Sequence, residues 1–388
     1  MAVTPRENQR MLISSEHPLR SERAVWPTAA LVGLVLLASA VNASAPSAGR
    51  LPDVLDMPPS VRTNATRAIV SGIAASGSTL IAVGPRGTVL RSTDNGTHWQ
   101  MVSVPVSADL TSVRFSSPET VWAVGHDAVI LKSADAGATW SRVLDGRILL
   151  ETLRQAAQRD ARLAKEVERT MAQSADPDVW PTALFDLMFV DDRHGFAVGA
   201  FGLLLATTDG GQTWQPAWDR ADNERGFHLY AIRGDGGRIY IAGEQGVLLR
   251  WDDKAQRFVR LQTPYEGSYF GLATAGDTVL IHGLRGNAFL SLDAGATWRK
   301  LVTGTEANLV SAELRDGAMW LATQSGDILG GAMVSDTLAI WASAPGPDLY
   351  GAVEIGPKRF AVARLSGVST IETERTPNDL RPGAVPAQ

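Results

Sequence analysis

Four short stretches of the sequence combine a hydroxyl group, a carboxylate and a tryptophan at a fixed spacing. They are RSTDNGTHWQ (91–100), KSADAGATWS (132–141), TTDGGQTWQ (207–215) and SLDAGATWRK (291–300). A serine or threonine two residues before an aspartate offers groups that acid–base or nucleophilic chemistry uses, so one copy alone would be a candidate catalytic loop. Four copies in the same register indicate a structural repeat instead.

Within each copy, the aspartate, the glycine and the tryptophan have different predicted structural roles. The carboxylate can accept hydrogen bonds from backbone N–H groups of its own turn, and the glycine can adopt a left-handed conformation. The tryptophan is predicted to fill the space between neighbouring sheets. The residues with these predicted roles are Asp94, Gly96 and Trp99; Asp135, Gly137 and Trp140; Asp209, Gly211 and Trp214; and Asp293, Gly295 and Trp298.

The spacing of the tryptophans predicts the fold. Trp99 and Trp140 are 41 positions apart, and Trp298 and Trp341 are 43 positions apart. Each complete unit contains four short strand-like segments, and seven units, the last of them incomplete, can be traced between residues 46 and 374. This pattern predicts an all-β, seven-bladed β-propeller. The last unit lacks a fourth strand, which residues 50–61 are expected to supply, and residues 375–388 are expected to form a flexible tail.

One insertion interrupts the repeat, because Trp214 follows Trp140 only after 74 positions. The inserted segment is 144–183, between units two and three. Apolar residues recur in it at spacings of three, four and seven, which predicts an amphipathic helix over 147–173. The apolar face either packs on the propeller itself or docks a partner. The candidate residues of this face are Leu149, Leu153, Leu163 and Val167.

The first 45 residues have the pattern of an export signal. Arginines precede the apolar run AALVGLVLLASAV (29–41), and small residues follow it. This order is typical of a secretory signal peptide, whereas the mostly apolar stretch 25–45 is also long enough for an uncleaved anchor. Either way, the remainder is predicted to be exported, to the periplasm or a lumen, and to be soluble after cleavage or held at the membrane.

The composition excludes several classes of site. The sequence has no cysteine, which excludes disulfides, thiolate metal sites, cysteine nucleophiles and a lipid-modified N-terminal cysteine. Its six histidines are scattered, without a metal-binding spacing, so no metal and no cofactor are predicted. A formal net charge of −5 gives no general electrostatic basis for binding nucleic acid.

The four turns match the Asp-box, or bacterial-neuraminidase, repeat S/T-x-D-x-G-x-T-W. The longer stretch GFAVGAFGLLLATTDGGQTW (195–214) resembles the family of photosystem II stability and assembly factors. The resemblance extends over about residues 50–374. It implies an exported, non-enzymatic scaffold that stabilises or assembles a membrane-protein complex. The partner is then that complex or its assembly intermediates, and a monomer is expected.

Two alternatives have other chemistry: a glycan-binding propeller and a sialidase-like glycoside hydrolase. Sialidases need an arginine cluster, a tyrosine nucleophile paired with a glutamate, and an acid. The one adjacent tyrosine–glutamate pair is Tyr265-Glu266, in a predicted linker between blades. The scaffold is the preferred hypothesis.

Blade topology also predicts a binding face. In an up-and-down blade, the second turn and the link to the next blade lie opposite the first and third turns. The Asp-boxes are third turns, so the second turns and the insertion share the other face. A candidate basic patch there consists of Arg86, Arg285 and Arg364.

Overall fold

The computed structural model describes residues 53–60, 64–346 and 348–374. The predicted signal peptide or anchor (1–45) and the predicted tail (375–388) lie outside these ranges. Within them, the chain forms seven antiparallel sheets in sequence order, which confirms the seven-bladed β-propeller. No helix in these ranges is long and apolar enough to cross a membrane.

The first three blades each contain four strands and an Asp-box turn between the third and the fourth. Blade 1 contains β1 (Gly72–Ser76), β2 (Thr79–Gly84), β3 (Thr88–Ser92) and β4 (Gln100–Met101). Blade 2 contains β5 (Leu110–Phe115), β6 (Val121–Gly125), β7 (Ile130–Ser133) and β8 (Ser141–Leu144), followed by helices α1 (Gly146–Ala157) and α2 (Ala161–Met171). Blade 3 contains β9 (Leu184–Phe189), β10 (Gly195–Gly199), β11 (Leu204–Thr207) and β12 (Gln215–Pro216).

The remaining blades complete the ring. Blade 4 contains β13 (Leu229–Asp235), β14 (Arg238–Gly243), β15 (Leu248–Asp252) and β16 (Arg257–Arg260); blade 5 contains β17 (Tyr269–Ala275), β18 (Thr278–Gly283), β19 (Ala288–Ser291) and β20 (Arg299–Lys300). Blade 6 contains β21 (Leu309–Arg315), β22 (Ala318–Thr323), β23 (Asp327–Ala332) and β24 (Ala339–Ser343); blade 7 contains β25 (Leu349–Gly356), β26 (Arg359–Arg364) and β27 (Gly367–Glu372). Short 3-10 helices lie at Ala65–Arg67, Ala200–Gly202, Trp218–Arg220 and Leu284–Gly286.

The first strand of each blade is the innermost, and each of these strands contacts the first strand of the next blade. The ring closes where β25 meets β1. Apolar side chains of blade 1, including Ile73 and Leu80, share a buried cluster there with Ala361 and Ala363 of blade 7. Ring closure therefore depends on apolar packing between blades, which removes surface from water on both sides of the junction.

The segment expected to complete blade 7 lies elsewhere, so that prediction is wrong for its described part. Among the described residues, blade 7 has three strands. Leu55 is only 1% exposed and packs in the core shared by blades 1 and 2. Asp53 and Asp56 form ion pairs with Arg147 of α1, at 2.6 and 2.9 Å. Leu55 thus packs on blades 1 and 2, and the carboxylates of Asp53 and Asp56 pair with α1. These contacts hold the segment away from β27.

The Asp-box turns form a repeated hydrogen-bond network. In blade 5, the Ser291 hydroxyl donates to the Asp293 carboxylate (2.7 Å) and accepts from the Gly295 N–H (2.8 Å). The same carboxylate accepts from the backbone N–H and hydroxyl of Thr297, at 2.8 and 2.6 Å. Gly295 has a φ of 90°, a conformation that favours glycine. Asp94, Asp135 and Asp209 make corresponding bonds in blades 1, 2 and 3.

The tryptophans of these turns lie between blades but differ in burial. Trp214 is 2% exposed and packs among Trp122, Phe189 and the helical insertion. Trp99 and Trp140 are half-buried, and each indole N–H donates to the carbonyl of its turn glycine, Gly96 or Gly137, at 3.1 Å. Trp298 is also half-buried, in the cluster between blades 4 and 5.

The insertion lies between blades 2 and 3, as predicted, but it contains two helices rather than one. The carboxylate of Asp145 caps α1, and that of Asp160 caps α2 by accepting from the N–H groups of Arg162 and Leu163. Asp160 has an extended backbone conformation, so it interrupts the single helix predicted over 147–173. The second helix, α2, begins at the next residue.

The candidate docking face of the helix is buried inside this protein. Leu149 and Leu153 are 0% exposed, and Leu163 and Val167 are 8% and 6% exposed. All four belong to one apolar cluster with the tryptophans and leucines of blades 2 and 3. The proposal that this face docks a partner is therefore corrected: the helices use it to pack on their own propeller.

Candidate partner-binding face

The face opposite the Asp-boxes is made of the second turns, the links between blades and the helical insertion, and we call it the second-turn face. Four of its second turns share an uncommon backbone conformation. Arg86, Phe201, Gln245 and Arg285 have φ values of 50–57°, and each precedes a glycine with positive φ. Two successive left-handed residues are the geometry of a tight hairpin turn, in which the first side chain projects outward. All four side chains are exposed.

The three arginines of the candidate basic patch have different environments. Arg86 and Arg285 are exposed, and their backbone N–H groups are fixed by Asp109 (2.8 Å) and Asn308 (3.1 Å). Arg364 is only 6% exposed, and its guanidinium donates to the carbonyl of Ala344 at 2.7 Å. Arg364 therefore serves the packing between blades 6 and 7. The predicted three-arginine patch is wrong: Arg86 and Arg285 are exposed on this face, but they belong to blades 1 and 5, with blades 6 and 7 between them.

The innermost strands share a bulge that sequence periodicity does not reveal. In six blades, the second residue of the first strand has no partner on the second strand. The bulged residues all line a central cavity of about 280 Å³, and they are Thr111, Phe185, Tyr230, Phe270, Val310 and Tyr350. Each lies at the start of its strand, which is the end at the second-turn face. The bulges therefore build a collar at this mouth of the channel.

Aromatic residues are concentrated on one side of the collar. Phe185, Tyr230 and Phe270 belong to adjacent blades, with ring centroids 5.7 Å apart for each neighbouring pair. His228 lies 6.1 Å from Phe185 and 6.0 Å from Tyr230, and Phe201 lies 4.9 Å from His228. We call these five residues the aromatic funnel. It runs from the exposed ring of Phe201 into the channel.

Charged residues occupy the channel below the funnel. The Asp186 carboxylate is 1% exposed and pairs with Arg114 (Nε–Oδ1 2.9 Å) and with Arg233. It also accepts from the Ser112 hydroxyl (3.2 Å) and from the backbone N–H of Ile232 (3.2 Å). Burial raises the pKa of Asp186, and the Arg114 guanidinium opposes that shift. The network connects the inner strands of blades 2, 3 and 4 directly below the aromatic funnel.

The Asp-box carboxylates on the opposite face are poor candidates for acid catalysis. Hydrogen bonds from Thr139, Thr213 and Thr297 lower the pKa of Asp135, Asp209 and Asp293 to about 2. The backbone and side chain of His98 likewise lower the pKa of Asp94. These groups are ionised at neutral pH and act as hydrogen-bond acceptors, whereas a general acid needs a pKa near the working pH.

The residue types and spacings considered above do not predict the aromatic funnel, although the sequence contains a signal for it. Four units have an aromatic residue at the second position of the first strand, in LFDLMF, LYAIRG, YFGLAT and LYGAVE. Strict alternation along a strand does not distinguish such a position from other surface positions. The bulge turns these residues into the channel, and a bulge has no signature in the hydrophobic pattern.

Comparison with known proteins identifies the family. A family profile described as "Photosynthesis system II assembly factor YCF48" matches residues 68–151 and 177–332, more than half of the chain. The chain belongs to this family. The gap between the two matched ranges contains α2 and part of α1, so the helical insertion is largely an addition to the family pattern.

Curated relatives share parts of the sequence. The chain is similar to the Photosystem II assembly lipoprotein Ycf48 of Synechococcus sp. (strain CC9902), with 30% identity over 121 residues, 30% of this chain and 36% of the relative. It is also similar to the Ycf48 lipoprotein of Prochlorococcus marinus, with 51% identity over 47 residues, 12% of this chain and 14% of the relative. The matches thus span about a third or less of these relatives.

Solved structures share the fold. "YCF48 bound to D1 peptide" has a TM-score of 0.58 at 15% identity, over 82% of this chain and 96% of that one. YCF48 from Cyanidioschyzon merolae has a TM-score of 0.58 at 17% identity, over 79% and 95%. An ancestral GH74 enzyme has a TM-score of 0.56 at 12% identity, over 78% and 44%. At these identities the likeness shows the fold alone, and propellers of this shape include enzymes.

Proposed function

We propose that this protein is an exported, non-enzymatic scaffold that binds a membrane-protein complex, or its assembly intermediates, through the second-turn face. Membership of the YCF48 family carries this proposal. One solved relative is described as bound to a D1 peptide, and the curated relatives are named photosystem II assembly lipoproteins. By extension, the partner of this chain is a photosystem II protein or a membrane protein that takes its place.

Local chemistry favours a binding protein over a glycoside hydrolase. The Asp-box carboxylates have a pKa too low for proton donation at neutral pH. The ring of Tyr265, the one tyrosine next to a glutamate, packs 6.0 Å from both Tyr269 and Phe289. That environment restrains the ring between neighbouring aromatics, whereas a nucleophile needs an open approach to substrate.

The partner meets the second-turn face for reasons of shape and charge. This face has the mouth of the channel, the exposed arginines Arg86 and Arg285, and the polar outer surface of α1 and α2. Exposed charges at a rim steer association and set specificity more than they add affinity. The two arginines are proposed to orient the complex, and the channel mouth to hold it.

The N-terminal segment is proposed to place the propeller on the exported side of a membrane. The curated relatives are named lipoproteins. The present sequence has no cysteine to carry a lipid, so residues 1–45 take over that role as an anchor or are removed after export. The propeller then works as a monomer beside its membrane partner.

Charge reversal on one face tests the proposal. The doubly substituted Arg86→Glu/Arg285→Glu protein is expected to recover at least fivefold less membrane protein than the wild type from detergent-solubilised native membranes. The matched control is Lys358→Glu, which reverses an exposed positive charge at the first turn of blade 7, on the Asp-box face. Equal loss in the control, or recovery of no membrane protein by the wild type, would contradict the proposed function.

A further inference from the structure

We propose that the aromatic funnel is the anchor pocket of the second-turn face and that it takes one uncharged aromatic side chain from an extended segment of the membrane-protein partner. The inference rests on the proposed function for the identity of the partner. It adds the chemistry that the partner must present and the five residues that receive it: Phe185, Phe201, His228, Tyr230 and Phe270.

Phe201 gives the first reason, because its position is unfavourable for the free protein. Its side chain is 75% exposed, and its φ of 54° is a conformation that non-glycine residues rarely adopt. The equivalent turn positions hold Arg86, Gln245 and Arg285, whose polar side chains suit exposure to water. An aromatic side chain held in a left-handed turn and in contact with water contributes little to the fold, and such features concentrate at binding sites.

The funnel is also rigid before any partner arrives. The backbone N–H of Phe201 donates to Nδ1 of His228 at 3.0 Å, which fixes His228 as the tautomer with its proton on Nε2. The backbone N–H of His228 in turn donates to the Glu244 carboxylate at 3.2 Å. The bulges fix Phe185, Tyr230 and Phe270 on three adjacent inner strands. A pocket with its side chains already in place loses little conformational entropy on binding.

The size and spacing of the funnel select a single ring. Phe185, Tyr230 and Phe270 line the central cavity, whose volume of about 280 Å³ lies below the range of pockets that hold drug-sized ligands, whereas Phe201 and His228 lie outside its lining, at its entrance. Neighbouring rings lie 4.9–6.1 Å apart, within the range of stacked and edge-to-face aromatic contacts. An inserted ring can meet the face of one wall residue and the edge of the next. Buried aromatic side chains of this kind contribute much of the binding free energy at many protein interfaces.

The charges below the funnel favour an uncharged occupant. The Asp186 carboxylate is paired with Arg114 and Arg233, and Glu313 is paired with Arg315 at 2.5 Å. An apolar ring placed above these ion pairs leaves each charged group bound to its partner. A charged side chain would lose water and compete for groups that already have partners, which is costly in a confined site.

A small probe tests the pocket without requiring the partner. N-acetyl-L-tryptophanamide, titrated into the wild-type protein, is expected to give saturation-transfer NMR signals on its indole ring, whereas N-acetyl-L-alaninamide gives none. Phe201→Ser is expected to weaken probe binding at least fivefold, and Phe201→Gly to weaken it equally while leaving the melting temperature unchanged or higher. The second result excludes a folding defect, because glycine accepts the left-handed conformation without strain.

The control and the remaining outcomes separate this inference from the proposed function. Val334→Ser removes an 89% exposed apolar side chain from the Asp-box face and is expected to leave probe binding unchanged. Equal binding by wild type and Phe201→Gly, or no binding by wild type, would overturn the funnel as an anchor pocket. Probe binding without recovery of any membrane protein by wild type would overturn the proposed function instead. Loss of both probe and membrane-protein binding in Phe201→Gly is the expected result.

Discussion

At the scale of single residues, the repeated aspartates show how a motif that resembles a catalytic loop serves a turn. Each carboxylate is exposed, yet hydroxyl and backbone donors surround it. In blade 5 these donors are Ser291 and Thr297, and the hydrogen bonds from Thr297 contribute most to the low pKa of Asp293. A general acid would need a pKa near the working pH, and the pKa of Asp293 is far below neutral pH.

This environment predicts a specific dependence of stability on pH. The pKa of Asp293 is lowered from 3.8 to about 2, so its ionised form favours folding above pH 3.8 and that contribution is lost as the pH falls through 2. Asp293→Asn is therefore expected to lower the melting temperature at pH 7, and the difference from wild type should shrink between pH 4 and pH 2. Asp219→Asn, at an exposed site outside the Asp-boxes, is the control. A difference that is constant across this range would contradict the role given to the carboxylate.

At the scale of elements, the helical insertion is part of the core rather than an appendage. Its leucines fill the junction between blades 2 and 3, and Arg147 of α1 also holds the segment that precedes blade 1 through ion pairs with Asp53 and Asp56. The apolar spacing of 147–173 predicted an amphipathic structure but left the partner of its apolar face undecided. That choice depends on the exposed apolar area of blades 2 and 3, which the helix sequence alone does not report.

The packing predicts which helix substitutions destabilise the protein. Leu149→Ala and Leu153→Ala each remove a fully buried side chain and are expected to lower the free energy of unfolding by about 2–5 kcal/mol. Ile148→Ala, on the same helix but 47% exposed, should change it by less than about 1 kcal/mol. Chemical denaturation monitored by far-UV circular dichroism measures these changes. Similar effects of Leu149→Ala and Ile148→Ala would contradict the burial of this face.

At the scale of the whole molecule, the periodicity of the sequence predicted the blades and their turns. It did not predict the features that deviate from the repeat, which are the bulges and the burial of Arg364. The spacing of Trp99, Trp140 and Trp298, together with the strand-like segments of each unit, was enough to predict seven blades and to assign the turns to two faces. The collar was missed because bulges at Phe185 and Tyr230 invert the expected alternation. Arg364 was placed on the surface because its turn was located correctly but its burial between blades was not visible in the sequence. The hydrogen bonds within a turn are set by residues close together in the sequence, whereas the burial of a side chain depends on the neighbouring blade.

The central claim is that a membrane protein binds the second-turn face, and site-specific photocrosslinking tests it most directly. A benzoylphenylalanine at Gln245, exposed on the second-turn face, is compared with one at Gln212, exposed in the Asp-box of blade 3. Neither glutamine is on the same blade as Arg86 or Arg285, the arginines used for charge reversal. In native membranes, Gln245 is expected to form adducts with an integral membrane protein and Gln212 to form few or none. Adducts mainly from Gln212, or none from Gln245, would contradict the account.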